Sequence, residues 1–338
     1  MRQARKRKNA RSSVLVTVLL LAVIGAGFLG ILLYEKQQER VQAALYSDEP
    51  YPNNRVVINY DGVDYGLKDD LDTYLFIGLD KMSDDLPQDE YYRNYQQCDF
   101  LFLMIVDHSN QTYYGLHINR DTMAEIRQLG INGQTVGTEI AQLALSHTFG
   151  SGGKDSCRNT VWSVSRFLYD VPVEHYVSIT MDGIPVLNDA VGGVVVHISD
   201  DFSSIDPAMK MGKDVRLAGN QALTFVRSRM SVGDGSNLSR MRRQREYINA
   251  LYQQIEQKMQ SDDRFGFRLA SALSDYVISD LTTDEISNTA NTIKEYRFTT
   301  IYSIEGEANY DSTYVEFYPD EAALQKQVLN LFFERMDG

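Results

Sequence analysis

The amino-acid sequence predicts an α/β fold: a single three-layer α/β/α domain with a mixed central sheet, preceded by one N-terminal transmembrane helix. Short apolar runs alternate with helical segments from residue 71 to the C-terminus, and this order is typical of sheet layers covered by helices. No repeat, low-complexity linker or internal Pro/Gly break divides that stretch, which favours one domain over two. An uncharged apolar stretch near the N-terminus predicts the transmembrane helix.

The first 34 residues have the features of a membrane anchor. Residues 1–13 contain six basic side chains and no acidic one, and Val14–Tyr34 is a stretch of 21 residues without charge. At about 1.5 Å per residue such a helix spans roughly 30 Å, the thickness of a bilayer core. The basic flank predicts a cytoplasmic tail at residues 1–13, and therefore a single-pass protein of the cell membrane whose following domain is extracytoplasmic.

A cleaved signal peptide is the alternative to an anchor. The apolar region of a signal peptide is shorter, about 7–15 residues, and ends at a site of small residues. The sequence Leu-Leu-Tyr-Glu at positions 32–35 is a poor site of this kind, so an uncleaved anchor is favoured.

The charge of the chain excludes one class of partner. The net charge is −13, and residues 1–34 contribute six positive charges, so the remainder carries −19. Bulk binding of nucleic acid is not expected at that charge. Residues 35–70 are polar and interrupted by Pro and Asn, which predicts an extracytoplasmic stalk or linker before the domain at residues 71–338.

The chain contains two cysteines, Cys98 and Cys157. Both belong to the predicted extracytoplasmic part, where disulfides persist. The sequence leaves two alternatives open, a bridge between the two cysteines or two free buried thiols.

Three apolar runs near the start of the domain predict neighbouring strands. Thr73–Leu79, Phe100–Val106 and Tyr113–Asn119 are short and mostly apolar, as buried strands are. The turn Asp-His-Ser-Asn-Gln at 107–111 is short, so the second and third runs are predicted to be antiparallel neighbours.

If the first run also pairs antiparallel with the second, three strand ends meet at one edge of the sheet. These ends carry Asp80, Asp99 and the consecutive pair Arg120 and Asp121. Two carboxylates and a guanidinium group at converging strand ends predict a ligand site. The alternative is that these residues only solvate the rim of the sheet.

The remaining segments predict further strands and helices from apolar runs and helical periodicity. The predicted helices are Glu139–Thr148, Arg158–Tyr169, part of 181–193, Glu246–Met259 and 320–333. The predicted strands are His175–Thr180, Val194–Ile198, 299–306 and 314–318.

An arginine-rich segment, Gln221–Ile248, holds six arginines in an otherwise acidic chain. Arg227 and Arg229 are two residues apart, so in an extended segment both would point to one face. Arg240 and Gln244 are four residues apart, which places them on one face of a helix. Guanidinium groups bind phosphate oxygens in bidentate fashion.

Between these two pairs lies a turn-rich loop, and Asn237 or Ser239 is predicted to cap the following helix. A helix N-terminus favours anions, so the segment suits a pyrophosphate. The alternative is a surface ion-pair network with the many acidic residues of the chain. Arg242, Arg243 and Arg245 are expected to be solvated, because they lie on other faces or near the exterior of the helix.

Taken together, these motifs resemble the LytR-CpsA-Psr (LCP) family of membrane-anchored cell-wall glycopolymer ligases. The resemblance covers residues 72–335 and is strongest from 74 to 259. Its specificity comes from the ordered set, in which Arg-x-Arg is followed by Arg-x-x-x-Gln and preceded by an N-terminal anchor. The matching segments are FIGLD (76–80), QQCDFLFLMIVD (96–107), INRDTM (118–123), DGIPVLNDAVGGVVV (182–196) and GNQALTFVRSR…GDGSNLSRMRRQ (219–244).

The resemblance implies a transferase of cell-wall assembly. Such an enzyme moves an anionic glycopolymer, teichoic-acid-like or capsular, from a polyprenyl-pyrophosphate carrier to peptidoglycan through a phosphodiester, with Mg²⁺ or Mn²⁺ as cofactor. Carried over by position, Asp80 and Asp99 would hold the metal ion, and Asp121 would orient Arg120. The implied catalytic residues are Asp80, Asp99, Arg120, Arg227 and Arg229, and the implied pyrophosphate contacts are Arg120, Asp121, Arg227, Arg229, Arg240 and Gln244.

Two positions depart from the family pattern. Gln97 stands where many members carry Arg, which removes one cationic contact, and Cys98 replaces a small residue before Asp99. A bond from Cys98 to Cys157 would tie the loop of the site to the Gly-rich segment at 150–156. Two alternatives to the transferase stay open: a non-catalytic glycopolymer-binding, lipid-binding or regulatory module, and a polyprenyl-pyrophosphate pyrophosphatase.

Overall fold

The computed structural model describes residues 57–80, 96–130, 133–262, 264–282, 285, 289 and 296–336. Within them the strands are β1 Val57–Tyr60, β2 Val63–Leu67, β3 Leu71–Leu79, β4 Cys98–Asp107, β5 Thr112–Ile118, β6 Met123–Leu129, β7 Thr135–Gln142, β8 His175–Thr180, β9 Val195–His197, β10 Asp214–Arg216, β11 Val277–Ser279, β12 Arg297–Ser303, β13 Gly306–Asn309, β14 Glu316–Pro319 and β15 Phe333–Arg335. The α-helices in the same residues are α1 Gly153–Phe167, α2 Gly183–Ala190, α3 Asn220–Arg227, α4 Asn237–Ser261, α5 Phe265–Ala272 and α6 Glu321–Phe332.

A mixed six-stranded sheet in the order β11-β8-β3-β4-β5-β12 forms the centre of the domain. Strand β3 pairs antiparallel with β4 and parallel with β8, while β5 pairs antiparallel with β4 and parallel with β12. Successive residues of a strand point to opposite faces, and β3 and β4 bury apolar residues on both faces. Strands of this kind occur where both faces of a sheet are covered.

Helices cover both faces of this sheet, each over its own apolar core. On one face Leu75 and Ile77 of β3 belong to a cluster with Val164 of α1 and Val328 of α6. On the other face Phe76 belongs to a cluster with residues of α2 to α5. The predicted α/β fold, with a mixed central sheet between two helical layers, is therefore confirmed.

The helix predicted at Glu139–Thr148 is wrong. The chain there forms the end of β7 and then a short 3₁₀ helix at Leu143–Leu145. Strand β7 pairs antiparallel with β6, a strand not predicted from the sequence. The Asn-Gly pair at 132–133 lies between the two strands in the sequence and is a strong hairpin signal. Pairing between the two strands therefore overrides the apolar spacing that suggested a helix.

The other predicted elements are confirmed, although two of the helices begin five and nine residues earlier than predicted. The helix predicted at Arg158–Tyr169 corresponds to α1, and Glu246–Met259 is the second half of α4. The strand predicted at Val194–Ile198 is β9, but it pairs with β10 outside the central sheet. The strands predicted at 299–306 and 314–318 correspond to β12 and β14, and the closing helix corresponds to α6.

Residues 57–67, in the segment predicted as a stalk or linker, form β1 and β2. These two strands make a small sheet with β15, near the C-terminus. The predicted cytoplasmic tail and transmembrane helix, at residues 1–34, lie outside the described residues. Among the helices of the described residues, none has the length and apolar character needed to cross a bilayer.

Cys98 and Cys157 are free thiols, and both are buried. The bridge hypothesis is therefore wrong, and the alternative of two free buried thiols is confirmed. Cys98 Sγ lies 3.4 Å from the carbonyl oxygens of Leu143 and Ala144, whereas Cys157 Sγ lies 3.9 Å from His147 Nε2. Burial raises the pKa of the Cys98 thiol to about 11 and that of the Cys157 thiol to about 12. Neither group is a reactive thiolate near neutral pH.

We therefore expect neither thiol to react with iodoacetamide in the native protein, because both are buried and protonated. After unfolding in urea without a reductant, both should be alkylated, which intact-mass spectrometry reads as two adducts per chain. Protein that is alkylated in urea only after a reductant is added would contradict the free-thiol structure.

Candidate active site

The three strand ends predicted to converge do meet at one edge of the central sheet. Antiparallel pairing places the end of β3 beside the start of β4, and the start of β4 beside the end of β5. The Asp80 backbone N–H donates to the Gln97 carbonyl over 3.1 Å, and Asp80 Oδ1 accepts from the Gln97 N–H over 2.9 Å. Asp80 therefore lies beside the segment that leads into Asp99.

A β-bulge at the start of β4 determines where Asp99 points. Gly78 pairs with Phe100. The next pair is Leu79 with Cys98, which leaves Asp99 as the extra residue. Because of this extra residue, Asp99 and Phe100 line the same cavity although they are consecutive. A Cβ on Gly78 would lie only 2.8 Å from Phe100 Cβ, so the close approach of the strands here requires glycine.

Arg120, which follows β5, contacts three side chains of the site. Its Nη1 group forms an ion pair with Asp99 Oδ1, and its Nη2 group donates to Gln97 Oε1 over 2.6 Å. Its Nε atom lies 3.4 Å from Asp121 Oδ1. Gln97 therefore orients Arg120, a role that was not evident from the sequence, where Gln97 counted only as a missing cation.

Arg240 of α4 approaches the same Asp99 carboxylate. Its Nη1 atom lies 3.6 Å from Asp99 Oδ1, and Asn237 Oδ1 accepts from its Nε and Nη2 atoms over 3.0 and 2.6 Å. Arg240 is only 5% exposed. Burial, followed by repulsion from Arg120 and Arg229, lowers the pKa of Arg240. A buried cation that faces other cations is stabilised by a further anion, so this arrangement favours an anionic ligand.

The predicted placement of Arg227 and Arg229 on one face of an extended segment is wrong. Arg227 is the last residue of α3, and Ser228 ends that helix. Arg229 lies in the following loop, with Nη2 at 3.9 Å from Asp121 Oδ2 and with Nε donating to Gly235 O over 3.2 Å. Arg227 is exposed and lines the cavity. Within the described part of the chain, the Arg227 guanidinium makes no hydrogen bond or ion pair.

The spacing of the apolar residues before Arg227 explains this difference. Ala222 and Phe225 are both fully buried and lie three residues apart, which is the spacing of one helix face. The helix therefore continues to Arg227, and the two guanidinium groups reach the site from a helix end and from a loop.

Helix α4 begins at a different cap from the predicted Asn237 or Ser239. Ser236 Oγ accepts from the Ser239 N–H over 3.0 Å, so Ser236 is the N-cap. Asn237 instead binds Arg240 through its Oδ1 atom, and its Nδ2 group donates to Asn119 Oδ1. Asn237, predicted only as a cap, and Asn119, which the sequence did not single out, are thus two further residues of the site.

Gln244, predicted to share a helix face with Arg240, does line the same cavity. Its Nε2 group donates over 3.2 Å to the carbonyl of Val226, near the end of α3. The neighbouring His117 is fully buried, and burial, followed by repulsion from Arg245 and Arg240, lowers the pKa of His117 to about 3. His117 is therefore neutral and adds no charge to the site.

Arg243 departs most from the sequence-based expectation of a solvated side chain. It is fully buried, and its Nη1 atom forms an ion pair with Asp200 Oδ2 at 2.6 Å. Its Nε group donates to the carbonyl of Phe225 over 3.2 Å, and its Nη2 group donates to the carbonyl of Ser228. Because these carbonyls belong to the end of α3, Arg243 joins α4 to the helix that carries Arg227.

A mainly apolar cavity of about 140 Å³ lies between the central sheet and helices α2, α3 and α4. Carboxylate, guanidinium and amide groups also lie in its wall, so the cavity offers an apolar space next to charged groups. The charged and amide side chains are Asp99, Arg227, Arg240 and Gln244, two hydroxyl-bearing residues are Thr180 and Tyr247, and the apolar ones include Phe76, Phe100, Phe102, Ile179, Leu187, Leu223, Ile248 and Leu251.

Asp80 and Asp99 are the carboxylates predicted to hold a metal ion. In the described residues there is no group of three or more His, Cys, Asp or Glu side chains suited to a metal. Mg²⁺ needs only one or two carboxylates when phosphate oxygens and waters complete its coordination, and these two carboxylates lie at neighbouring strand ends. Since Asp99 faces Arg120 and Arg240, an ion would bind there together with a phosphate that takes up their charge.

A match to a known family covers most of the chain. The family model of the LytR_cpsA_psr family matches residues 33–331. The chain belongs to the LytR_cpsA_psr family. The resemblance drawn from the sequence motifs is therefore confirmed.

Two relatives and one solved structure are similar to this chain. It is 32% identical over 161 residues to the polyisoprenyl-teichoic acid–peptidoglycan teichoic acid transferase TagU of Halalkalibacterium halodurans, covering 48% of each chain. It is 28% identical over 253 residues to the transferase of the same description, TagV, of Bacillus subtilis, covering 71% of this chain and 56% of the relative. The crystal structure of B. subtilis TagV has a TM-score of 0.56 at 26% identity, over 78% of this chain and 97% of that one. The chain thus spans about half the length of the curated relatives it matches.

Arg242 and Arg243 offer a matched pair of variants, because both form an ion pair with Asp200. Arg242 is 54% exposed, as expected from the sequence, whereas Arg243 is fully buried. Arg243→Gln should lower the free energy of unfolding by about 3–5 kcal/mol, because it breaks a buried ion pair. Arg242→Gln should lower it by only about 0–1 kcal/mol. Urea unfolding followed by circular dichroism measures both, and equal losses would contradict the role assigned to Arg243.

Proposed function

We propose that the protein transfers an anionic glycopolymer, teichoic-acid-like or capsular, from a polyprenyl-pyrophosphate carrier to peptidoglycan through a phosphodiester. The observation that carries the proposal is the apolar cavity with Arg227, Arg240 and Gln244 in its wall. The apolar wall suits a polyprenyl chain, and the guanidinium groups suit the pyrophosphate to which that chain is attached. The two relatives described above are named polyisoprenyl-teichoic acid–peptidoglycan teichoic acid transferases, which supports the same reaction.

The arginines would act by binding and orienting the pyrophosphate. Arg227 is exposed beside the cavity, and Arg229 lies 3.9 Å from Asp121, so both can turn to phosphate oxygens without losing a short ion pair. Arg240 is held in a fixed orientation by Asn237. Phosphoryl transfer depends on positioning and charge neutralisation more than on covalent participation by the protein, and fixed guanidinium groups supply both.

The reaction moves one phosphoryl group together with its glycan. The oxygen of an acceptor hydroxyl forms a bond to the phosphorus that bears the glycan, and the hydroxyl loses its proton. The bond from that phosphorus to the bridging oxygen breaks, and polyprenyl phosphate leaves. Guanidinium groups next to the leaving phosphate stabilise the negative charge that develops on it, which lowers the barrier.

A Mg²⁺ or Mn²⁺ ion, held by Asp80 and Asp99, is the cofactor in this proposal. When bound, the ion neutralises charge on phosphate oxygens. The basic tail and the apolar segment within residues 1–34 would anchor the protein in the cell membrane as a single-pass protein with a cytoplasmic N-terminus. The domain would then meet its lipid carrier and peptidoglycan on the outer side of that membrane.

The test combines the full chain in detergent with Mg²⁺, a short-chain polyprenyl-pyrophosphate glycan and peptidoglycan oligomers, and reads the products by mass spectrometry. The expected product is a glycan–phosphate–peptidoglycan adduct, formed together with polyprenyl phosphate. Release of polyprenyl phosphate without an adduct would point to the pyrophosphatase alternative. Binding without any release would point to a non-catalytic module.

In the same assay, Arg229→Lys should lower the rate by about 10²-fold, because a lysine ammonium cannot reproduce the bidentate guanidinium fork. Arg242→Lys is the matched control, since Arg242 is exposed and pairs with Asp200 rather than with the site, and it should keep the wild-type rate. EDTA should abolish turnover by the wild type, and Mg²⁺ should restore it. A wild-type rate in Arg229→Lys would argue against pyrophosphate binding by the loop arginine.

A further inference from the structure

A second, smaller apolar cavity lies beside the first, over neighbouring strands of the central sheet. The first cavity is lined by residues of β8, β3 and β4, and the second, of about 20 Å³, by residues of β4, β5 and β12. Residues of α4 line both. The two cavities share Phe102 of β4 and Ile248 of α4, which therefore lie at the boundary between them.

The ring of Phe102 occupies this boundary. It stacks on Phe100, a residue of the first cavity, with 6.0 Å between ring centroids and an angle of 7° between the ring planes. The same ring lies over Gly115 of β5, a residue of the second cavity, where an added Cβ would overlap the ring atoms Cζ and Cε2. Phe102 is 6% exposed. The missing side chain at Gly115 therefore gives the ring its place between the two cavities.

We propose that Phe102 limits how much of a prenyl chain the protein buries, because its ring separates the two apolar cavities. This inference rests on the proposed function, since it takes the first cavity as the site of the carrier's pyrophosphate-proximal isoprene units. A chain that extends from the pyrophosphate at Arg240 fills the first cavity and then meets the ring. A smaller residue at position 102 would join the cavities into one that crosses five strands, β8 to β12, or about 19 Å at roughly 4.8 Å per strand spacing.

The test measures binding, so it does not depend on turnover. The full chain in detergent is titrated in a calorimeter with geranyl, farnesyl and geranylgeranyl pyrophosphate, and the titrations into detergent alone are subtracted. In the wild type, affinity should rise with chain length only until the first cavity is full. In Phe102→Ala, geranylgeranyl pyrophosphate should bind about tenfold more tightly than to the wild type, because more methylene groups are buried, while geranyl pyrophosphate should gain little.

Gly115→Ala should shift the preference in the opposite direction. The new Cβ takes the space under the Phe102 ring, and the ring must move away from β5, toward the first cavity. Affinity for the longer probes should therefore fall relative to the shortest one.

Ile301→Ala is the matched control, because Ile301 lines the second cavity and not the first. It enlarges the second cavity while the Phe102 ring still closes the boundary, so the affinity for all three probes should stay at the wild-type value. Ile248→Ala opens the boundary from the side of α4. It is used in place of Phe102→Ala if melting curves show that Phe102→Ala does not fold.

An unchanged dependence on chain length in the folded boundary variants, Phe102→Ala or Ile248→Ala together with Gly115→Ala, overturns the role of Phe102 and leaves the proposed function standing. Failure of the wild type to bind any of the three probes overturns both.

Discussion

The site depends on two carboxylates, which attract three guanidinium groups. Without that attraction the guanidinium groups would only repel one another. Asp99 faces Arg120 and Arg240, and Asp121 faces Arg120 and Arg229. Two like charges about 4 Å apart repel by about 4 kcal/mol at the effective dielectric constant typical of a protein surface. The carboxylates offset this repulsion where the strand end, the loop and the helix that carry the arginines meet. Three cations for two carboxylates leave a positive excess in this group, and that excess favours an anionic ligand.

Two structural features hold these charges in place, one on the sheet and one between the helices. On the sheet, the bulge turns Asp99 toward the cavity while its neighbour Cys98 stays in the opposite core. Between the helices, Arg243 and Asp200 join α4 to the end of α3. A buried ion pair contributes little net stability, because desolvation offsets most of the attraction. Its consequence here is geometric, since it fixes the distance between the helix of Arg240 and the helix that ends at Arg227.

How much could be predicted from the sequence depended on whether the deciding interaction was local. The meeting of the strand ends could be predicted, because turn length and apolar runs lie within short segments. The helical ending at Arg227 could not, because Arg-Ser-Arg fits a strand or a helix end until the burial of Ala222 and Phe225 is known. The burial of Arg243 depends on Asp200, which lies 43 residues earlier in the chain. No local sequence pattern indicates an ion-pair partner at that separation. The site residues were predicted from the strand ends and from the arginine spacing, and their individual roles came from the family resemblance, whereas the contacts of Gln97 and Asn237 required the tertiary structure.

The central claim is that the guanidinium groups paired with Asp99 and Asp121 form a pyrophosphate site. Its most direct test is a calorimetric titration of the full chain with inorganic pyrophosphate in the presence of Mg²⁺. For the wild type we expect equimolar binding. For Arg240→Lys we expect affinity at least about tenfold weaker, because the lysine ammonium keeps the charge and loses the bidentate fork. No binding by the folded wild type, or equal affinity in the variant, would contradict the assignment of this site.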